Sequence, residues 1–503
     1  MLNRTFDNDT ICALATPLGM GAIAVVRISG PQAFPILASL FQNQGKSLEI
    51  SDITPNRAYH GYLIYNKEML DEAVVTFFKA PHSFTGEDTA EVSVHGSVYV
   101  QQKLLQVLVA QGCRMAEAGE FTRRAFVNRK FDLTQAEAIA DLISSESEAA
   151  HRVAINQLKG GFSKELQVMR SKLLEMTSLM ELELDFSEED VEFADRSKLK
   201  ALLEETLSKV NSLKDSFRLG NAIKNGIPVA IVGQTNTGKS TLLNALLGED
   251  RAIVSDIAGT TRDTIEETLN IDGILFRFID TAGIRDTDET IEKIGIERTF
   301  KKISEADIVL GLIDGTLPFE DIKKAAEDII NTVNLLEQRL MLLINKEDLI
   351  QNNRMQHLDI EMSDALRDSY AHNVVSHGAH LVDAFGYTYC GVHYSLAGLM
   401  SFGYLSAKDP QSVEGLKEQI GRHGRLMAPN DKAVLVTNIR HYEALMHASE
   451  SLQLVKQGLE MNIPTDLISQ DLRQALHYLG SITGEITTDE VLGTIFSRFC
   501  IGK

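Results

Sequence analysis

A glycine-rich segment of eight residues constrains the fold of this chain more than any other feature. Residues 233 to 240 read Gly-Gln-Thr-Asn-Thr-Gly-Lys-Ser and match the P-loop pattern GxxxxGK[ST]. An apolar run at 227–232 precedes them and a helix-like stretch at 241–247 follows, which is the strand–loop–helix context that the motif needs. Glycines let backbone N–H groups surround phosphate oxygens, and the helix N-terminus favours the same anion. We therefore expect Lys239 to contact terminal phosphates and Ser240 to bind magnesium.

Three later motifs predict the rest of a nucleotide site. They read Asp280-Thr281-Ala282-Gly283, Asn345-Lys346-Glu347-Asp348 and Ser406-Ala407-Lys408, and β-like runs precede the first two. Ligands of open α/β sheets bind at the carboxyl ends of the strands, so these loops are expected to converge on one crevice. Asp280 is then expected to reach magnesium through water, and the Gly283 N–H to approach the γ-phosphate. The predicted P-loop contacts also include Asn236, Thr237, Gly238 and Thr241.

Asp348 is the predicted base-reading residue. An ionised carboxylate only accepts hydrogen bonds, which suits the N1–H and exocyclic amine of guanine and leaves adenine unsatisfied. We expect Asn345 to support the base edge and the Ala407 N–H to contact the guanine oxygen. The ordered motifs together predict a GTPase domain.

The segment between the P-loop and Asp280 contains the candidate that closes on the γ-phosphate. It reads Ser255-Asp256-Ile257-Ala258-Gly259-Thr260-Thr261, and Thr261 is the better placed of its two threonines to bind magnesium. Ras-type GTPases carry a glutamine directly after the DxxG glycine to orient the attacking water. Here that position is Ile284, which can neither donate nor accept a hydrogen bond. The acidic segment 285–293 offers carboxylates for this role, with a solvated helix face as the alternative interpretation.

Further segments carry a family resemblance. They are Ser83-Phe-Thr-Gly-Glu-Asp88, Gly119-Glu-Phe-Thr-Arg-Arg-Ala-Phe126, Gly259-Thr-Thr-Arg-Asp263, Ile291-Glu-Lys-Ile-Gly-Ile-Glu-Arg298 and the terminal Phe499-Cys-Ile-Gly-Lys503. These segments resemble the MnmE (TrmE) family of tRNA-modification GTPases, which act on the wobble uridine. The resemblance runs from about residue 9 to the C-terminus, except for 351–404.

The resemblance implies a GTPase whose G domains dimerise across the nucleotide. A potassium ion between them would stabilise the charge of the transition state, in place of an arginine finger. The implied potassium ligands are Asn236, Ser255, Ile257 (through its backbone) and Thr260, and Glu292 is implied to position the attacking water. The family acts as a homodimer that forms a heterotetramer with an MnmG-type flavoprotein. Together they add a carboxymethylaminomethyl or aminomethyl group to uridine carbon-5 of certain tRNAs.

The resemblance also implies a one-carbon site in the N-terminal domain. Its cofactor would be a 5,10-methylene- or 5-formyl-tetrahydrofolate derivative, and its implied contacts are Arg27, Glu87, Lys130 and Lys503. For each of these residues considered singly, a surface salt bridge is the simpler interpretation. Cys500 is a catalytic candidate because of its position: it is either a thiol that attacks uridine carbon-6 or a buried hydrophobe.

Length and apolar spacing predict a multidomain α/β and α+β protein. We expect an N-terminal α+β domain at 1–128, which the resemblance implies is the folate-binding and dimerisation domain, and a discontinuous helical bundle at 129–223 and 426–503. A Ras-like P-loop GTPase domain at 224–425 would be inserted between the two helical parts. Its segment 351–404 is longer than a GTPase fold needs, and we interpret it as a partly ordered surface insertion; a histidine metal site is the alternative.

Charge and cysteine content limit the classes of partner and location. The net charge of −21 is the wrong sign for RNA binding through broad counterion release, so tRNA contacts must use local patches or a partner. Arg123, Arg124, Arg129 and Lys130, interleaved with phenylalanines, form the densest basic–aromatic candidate, unless they pair with acidic neighbours.

Four scattered cysteines indicate no disulfide framework, and no apolar stretch is long enough to span a membrane. We therefore expect a cytoplasmic protein without an integral membrane segment. A regulatory GTPase switch, such as a ribosome-assembly factor, is the alternative function. Such factors share the GTPase motifs but lack the N-terminal signatures and the FCIGK terminus.

Overall fold

The computed structural model divides the chain into two compact units. The first comprises Met1–Ser144, Ala154–Lys214 and Ile439–Lys503, and the second comprises Ser145–Val153 and Asp215–Asn438. The structure describes residues 9–43, 45–185, 196–248, 267–279, 303–351, 354–355, 357–358, 361–362, 366, 373, 380–383, 386–389, 392–395, 400–427, 434–461, 463–486, 488–497, 499 and 502. Each unit has its own sheet and its own buried apolar core.

An eight-stranded sheet forms the N-terminal part of the first unit. Its strands are β1 (Ile11–Leu14), β2 (Ile23–Ser29), β3 (Phe41–Asn43), β4 (Lys46–Ser47), β5 (Ala58–Tyr65), β6 (Glu68–Phe78), β7 (Thr89–His95) and β8 (Arg114–Met115). The order across the sheet is β4-β3-β5-β6-β7-β2-β1-β8, and each neighbouring pair is antiparallel except β1 and β8. Three helices accompany the sheet: α1 (Ala33–Leu40), α2 (Val98–Ala110) and α3 (Glu120–Val127).

Alternation along β2 gives the sheet one apolar face and one mixed face. Val26 and Ile28 belong to the core cluster that includes side chains of α1 and α2. Successive strand residues point to opposite faces, so Arg27 and Ser29 lie on the other side. There the Arg27 guanidinium lies 5.7 Å from the ring centroid of Phe121 in α3. The sequence of β2 thus places a charged residue and a hydroxyl beneath α3.

Four helices follow in the chain. They are α4 (Leu133–Ser144), α5 (Glu148–Leu158), α6 (Gly161–Asp185) and α7 (Arg196–Asp215). Helix α6 buries a stripe with spacings of three and four residues, namely Leu166, Met169, Leu173, Met176 and Met180. That spacing places the five side chains on one face of the helix, which explains why this segment packs as a helix in a bundle.

A six-stranded sheet forms the centre of the second unit. Its first five strands in the chain are β9 (Ile227–Val232), β10 (Glu267–Ile271), β11 (Ile274–Phe278), β12 (Ile308–Asp314) and β13 (Arg339–Asn345). A separate three-stranded antiparallel sheet follows, with β14 (His380–Asp383), β15 (Gly386–Tyr389) and β16 (Val392–Ser395), and then β17 (Met400–Leu405). The order in the main sheet is β10-β11-β9-β12-β13-β17, and only the β10–β11 pair is antiparallel.

Helices cover both faces of this main sheet. The described helices of the unit's larger segment are α8 (Phe217–Asn225), α9 (Lys239–Leu247), α10 (Phe319–Thr332) and α11 (Pro410–Met427). Side chains of α9 and α11 share one core cluster with Val229 and Ile231 of β9. The alternate residues Ala230 and Val232 share a second cluster with α10. This is the doubly wound layer arrangement of an open parallel sheet.

The strand register brings the segments that follow four strands to one edge of the main sheet. Asp314 pairs with Asn345, and Asn345 pairs with Leu405, so β12, β13 and β17 end level with one another. Val232, the last residue of β9, pairs with Gly311 near the end of β12. The segments that follow these strands therefore leave the same edge. Because β17 begins at Met400, this strand overlaps the end of the predicted insertion at 351–404.

Three final helices belong to the first unit. They are α12 (Ile439–Glu460), α13 (Thr465–Thr483) and α14 (Asp489–Phe496), and α13 packs against both α12 and α6. Glu137 of α4 accepts hydrogen bonds from Arg440 (2.9 Å) and His441 (2.6 Å) of α12. The two units confirm the predicted fold class. Among the described helices, none combines the length and apolarity needed to cross a membrane.

Candidate functional site

The P-loop has a backbone that most residue types cannot adopt. Gly233 has φ 154° and Gly238 has φ 98°, and Asn236 has φ 62°. A Cβ on Gly233 would overlap the Leu312 carbonyl oxygen, and a Cβ on Gly238 would overlap the Asn345 side chain. Asparagine is one of the few other residues that visits the left-handed region. These three positions explain why the loop requires its two glycines and tolerates an asparagine between them.

Lys239 is held over the loop that it follows. Its ammonium group donates to the carbonyl oxygens of Gly233 (2.9 Å) and Gln234 (2.7 Å). Helix α9 begins at Lys239, so its first turn adjoins the loop. The N–H groups of a helix's first turn lie outside the helical hydrogen-bond pattern. The cation, the helix terminus and the loop N–H groups together form a site suited to the phosphates of a nucleotide.

Asn345 joins the P-loop to the loop that follows β17. Its side chain is only 3% exposed. The amide Nδ2 donates to the Thr237 carbonyl oxygen (2.7 Å), and Oδ1 accepts from the Ala407 N–H (3.0 Å). The sequence predicted a contact between the Ala407 N–H and the guanine oxygen, and that contact would share the N–H with Asn345. Segments 108 residues before and 62 residues after Asn345 in the chain therefore meet at this one amide.

Asp348 lies on a short 3₁₀ turn, Glu347–Leu349, directly after β13. Its Oδ1 accepts a hydrogen bond from the buried Ser406 hydroxyl (2.8 Å). The exposed carboxylate is thus fixed through one oxygen. Hydrogen-bond donors of a base can approach the other oxygen, as the sequence predicts for guanine.

Lys346 makes an ion pair that the sequence did not predict. Its ammonium group lies 2.5 Å from Asp314 Oδ2 at the end of the neighbouring strand β12. Burial raises the pKa of Asp314, but hydrogen bonds from Lys346 and Thr316 outweigh burial and hold this pKa below its ordinary value. The one sign of this ion pair in the sequence is the aspartate, Asp314, that ends the apolar run 308–314. The pair fixes the start of the 3₁₀ turn, where Lys346 itself has a left-handed backbone (φ 66°).

Several predicted site residues lie outside the described residues. They are Ser255, Asp256, Ile257, Ala258, Gly259, Thr260, Thr261, Asp280, Thr281, Ala282, Gly283, Glu292, Cys500 and Lys503. The predicted roles of these residues therefore stay predictions. Ser240 and Thr241 lie in the first turn of α9, while Lys408 is exposed just after Ala407.

The first unit has a second polar site on the α3 side of its sheet. Arg27 pairs with Glu91 on the adjacent strand (2.8 Å) and donates to the Gly502 carbonyl oxygen (3.2 Å). Gly502 has φ 93°, and a Cβ there would overlap the Leu14 carbonyl oxygen. The penultimate residue of the chain is thus fitted closely against β1, beside Arg27.

Glu87 lies on the same side of the sheet. Its Oε2 accepts from the Ser29 hydroxyl (2.9 Å) and from Arg124 Nη1 (3.2 Å). Lys130, the third predicted folate contact that is described, is exposed and donates to the Pro81 carbonyl oxygen (2.9 Å). The loop that contains Glu87 is near Lys130, because a Cβ on Gly86 would contact the Lys130 side chain.

The basic–aromatic candidate for RNA binding is only partly a surface patch, since Arg129 and Lys130 are exposed but Arg124 is not. Arg124 is only 4% exposed, and Phe121 and Phe126 are buried. Arg124 pairs with three carboxylates, those of Asp9, Glu87 and Glu120. The prediction of a tRNA-binding patch was therefore wrong for Arg124, because α3 turns this side chain towards the sheet.

The histidine-rich segment was the candidate for a metal site. Within the described residues, no group of three or more histidine, cysteine, aspartate or glutamate side chains is arranged to hold a metal ion.

Two family models match this chain over most of its length. The model of the GTP-binding protein TrmE N-terminus matches residues 10–130, and the model of the MnmE helical domain matches residues 133–500. Similar relatives are named tRNA modification GTPase MnmE. The protein of Bacteroides thetaiotaomicron is 46% identical over 497 residues, which cover 99% of this chain and 100% of the relative. That of Christiangramia forsetii is 47% identical over 500 residues, which cover 99% of each.

Solved structures match a smaller part of the chain. The Era protein of Aquifex aeolicus bound to GDP and AlF4⁻ is 26% identical, covers 45% of this chain and 67% of its own, and has a TM-score of 0.25.

Proposed function

Because this chain belongs to the MnmE family of tRNA modification GTPases, we propose that it couples potassium-dependent GTP hydrolysis to modification of the wobble uridine in certain tRNAs. An MnmG-type flavoprotein would be its partner in a heterotetramer. The product would carry a carboxymethylaminomethyl or aminomethyl group at carbon-5. The main support is that Asn345 joins the P-loop to the Ala407 loop beside the base-reading Asp348.

The P-loop residues fit a guanine nucleotide with magnesium. Gly233 and Gly238 form a cradle that a Cβ would fill, and Lys239 lies at its edge. Ser240 and Thr261 would hold magnesium, which neutralises negative charge on the phosphates when it is bound. Lys239 then exchanges its two carbonyl contacts for phosphate oxygens, and Asp348 accepts from the guanine edge. The chain's own residues thus position the γ-phosphate for attack by water.

Potassium would bind beside the phosphates through Asn236, Ser255, Ile257 and Thr260. Of these, Asn236 is described, and its exposed side chain on a left-handed backbone supplies an amide oxygen of the kind that alkali cations bind. Glu292, proposed from the family, would position water through a second, bridging water.

The potassium proposal is tested by GTP turnover in potassium and in sodium buffers of equal ionic strength. Wild-type protein should be much faster in potassium, and Asn236→Ala should lose this difference. Gln234→Ala is the matched control, because it changes an exposed side chain of the same loop and keeps the carbonyl that contacts Lys239. Equal wild-type rates in the two salts would refute Asn236 as an ion ligand.

The proposed folate site would use Arg27, Glu87, Lys130 and Lys503. Arginine and lysine side chains suit a glutamate tail and ring oxygens, and a carboxylate suits the N–H edge of a pterin ring. The bound folate would supply the one-carbon unit. Support comes from the polar face of the first unit, where Arg27 contacts Gly502, the neighbour of Lys503. Isothermal titration with 5-formyltetrahydrofolate tests the site, and no detectable binding would remove it.

A homodimer through the N-terminal domain is supported by exposed apolar side chains. Leu18 is 88% exposed and Met20 is 92% exposed, and Ile23 and Tyr99 are also exposed. The Gln101 side chain donates to the Gly19 carbonyl oxygen (2.9 Å) and holds this loop on α2. Apolar side chains so exposed often mark an interface. Sedimentation should show a dimer for wild type and a monomer for the Leu18→Asp, Met20→Asp double variant.

The tRNA substrate is tested by nucleoside analysis of tRNA from a deletion strain. Loss of the modified wobble uridine, restored by the intact gene, is expected, and unchanged uridines would favour a regulatory GTPase switch instead.

Cys500→Ser in the same strain tests the proposed attack on uridine carbon-6. We expect the MnmG-type partner to supply basic surface, because this chain has a net charge of −21 and buries Arg124. A tRNA substrate also accords with the expected cytoplasmic location.

A further inference from the structure

Arg124 is a heavily paired buried cation on the α3 side of the N-terminal sheet. Its Nη2 donates to Asp9 Oδ1 (2.6 Å) and to Glu120 Oε1 (3.0 Å). Its Nη1 donates to the Asp9 carbonyl oxygen (3.1 Å) and to Glu87 Oε2 (3.2 Å). Glu120 precedes Arg124 by one helical turn and is 1% exposed, so the guanidinium is fixed from its own helix.

Arg114 fixes the other side of the same carboxylates. It donates to Asp9 Oδ2 (2.6 Å) and to both oxygens of Glu120 (2.6 and 3.0 Å). Burial raises the pKa of Glu120, but hydrogen bonds from Arg114, the Glu117 N–H and Arg124 outweigh burial and hold this pKa below its ordinary value. Both arginines therefore hold the carboxylates of Asp9 and Glu120, and only Arg124 of the two also pairs with Glu87.

Hydrogen bonds from protein side chains fix one oxygen of the Glu87 carboxylate. Its Oε2 accepts hydrogen bonds from the Ser29 hydroxyl and from Arg124 Nη1. Its Oε1 lies 3.5 Å from the same Nη1 atom. The Ser29 hydroxyl is itself hydrogen-bonded to the Thr85 hydroxyl (2.7 Å). One oxygen is thus committed to the protein, which orients the other for a ligand. A planar guanidinium with several fixed donors can hold Asp9, Glu120 and Glu87 together, whereas a lysine ammonium cannot match that geometry.

We infer that Arg124 is a positioning residue for the one-carbon site: it orients the Glu87 carboxylate towards the N–H edge of the bound pterin. This inference rests on the proposed folate site. Pre-ordering the carboxylate lowers the entropy that is lost on binding, so the effect appears in folate affinity.

The test measures 5-formyltetrahydrofolate affinity by isothermal titration for wild type and for R124K, R114K and E87Q. In R124K the ammonium stays with Asp9 and Glu120 and releases Glu87, so affinity should fall roughly tenfold or more. R114K is the matched control, because it weakens the contacts to Asp9 and Glu120 while Arg124 keeps its contact with Glu87. Its affinity for 5-formyltetrahydrofolate should stay within about twofold of wild type. The melting temperature should fall more in R124K than in R114K, because Arg124 is 4% exposed and also pairs with Glu87, whereas Arg114 is 43% exposed.

A double-variant cycle separates positioning from a merely structural role. If Arg124 acts through Glu87, R124K should cost nothing further in the E87Q background. Multiplied losses in the double variant, or wild-type affinity in R124K, would overturn the inference while leaving the folate site intact. Absence of folate binding by wild-type protein would instead remove the proposed site and this inference together.

A second pair keeps the test decisive if R124K does not fold. E87Q/R124Q removes both charges of this pair, while Arg114 still pairs with Asp9 and Glu120. Affinity equal to that of E87Q supports the inference, and a further loss overturns it.

Discussion

Replacing Asp348 with asparagine should change the nucleotide that this chain prefers. In the structure the Ser406 hydroxyl donates to Asp348 Oδ1 at 2.8 Å, and Ser406 is buried. An asparagine at this position can keep that bond by turning its amide oxygen towards Ser406. Its NH₂ group then replaces Oδ2, so the edge that is proposed to read the base becomes a donor. Guanine presents two donors there, and both would meet a donor instead of a carboxylate.

The size of the effect follows from the two hydrogen bonds that guanine can no longer donate to a carboxylate. Hydrogen bonds to charged groups contribute roughly 1.5–3 kcal/mol each, so removing both costs roughly 3–6 kcal/mol, or about 10²- to 10⁴-fold in GTP affinity. Xanthine carries a carbonyl where guanine has its amine, so XTP should form a new hydrogen bond with the NH₂ group. Displacement of a fluorescent nucleotide by GTP and by XTP measures both changes.

Glu347→Gln is the control for this substitution, since it alters the adjacent carboxylate on the same 3₁₀ turn. It should leave the preference for GTP over XTP unchanged. The assignment of Asp348 as the base-reading residue would be refuted if Asp348→Asn still bound GTP as tightly as wild type.

Three further substitutions test other parts of the structure. Gly502→Ala should lower 5-formyltetrahydrofolate affinity at least tenfold, because its φ of 93° and its close approach to β1 exclude a side chain; Gly493→Ala, whose Cβ would meet nothing within 4 Å, should not. Burial raises the pKa of Glu137, but its partners on α12 outweigh burial and hold the pKa at about 2, against 4.5 ordinarily. Ionised Glu137 therefore stabilises the fold above pH 4.5, and this contribution is lost as the pH falls towards 2. Thermal unfolding of Glu137→Gln should thus differ most from wild type at neutral pH and converge in acid. Gly238→Ala should lower GDP affinity more than tenfold in a fluorescence titration, because a Cβ there displaces Asn345.

The main elements of the second unit were predictable because their signals are local. The apolar run 227–232 became β9, and the helix-like stretch after the P-loop became α9, which begins at Lys239. The P-loop and the first two later motifs follow runs whose length and apolar composition identify strands without knowledge of the fold. The strand before Ser406, β17, was instead assigned mostly to the predicted insertion. Parallel pairing of β9, β12, β13 and β17 then brings the P-loop and the loops of Asn345 and Ser406 to one edge, as expected.

Pairs formed across the fold were not predictable in the same way. The Lys346–Asp314 ion pair joins residues on neighbouring strands, and nothing in the sequence specifies that β12 lies beside β13. Asn345 was expected at the base edge, yet its buried amide bonds to two loops. Such contacts depend on strand order, which a single sequence does not reveal.

The Arg123–Arg124 pair shows how a composition-based prediction fails. Both residues belonged to the expected basic patch, but Arg124 turns inwards to its carboxylates, while the more exposed Arg123 lies 3.9 Å from Glu117. The helical spacing of Glu120 and Arg124, four residues apart, was the local sign that this arginine is paired. Periodicity was thus more informative than charge.

The most direct test of the account is a reconstituted modification reaction. It would contain the purified chain, its flavoprotein partner, tRNA from the deletion strain, a methylene-tetrahydrofolate and glycine in potassium buffer. Mass spectrometry of the wobble uridine should detect the carbon-5 substituent with GTP and only trace amounts with GDP. Equal product with GDP, or product formed without this chain, would contradict the coupling of GTP hydrolysis to tRNA modification.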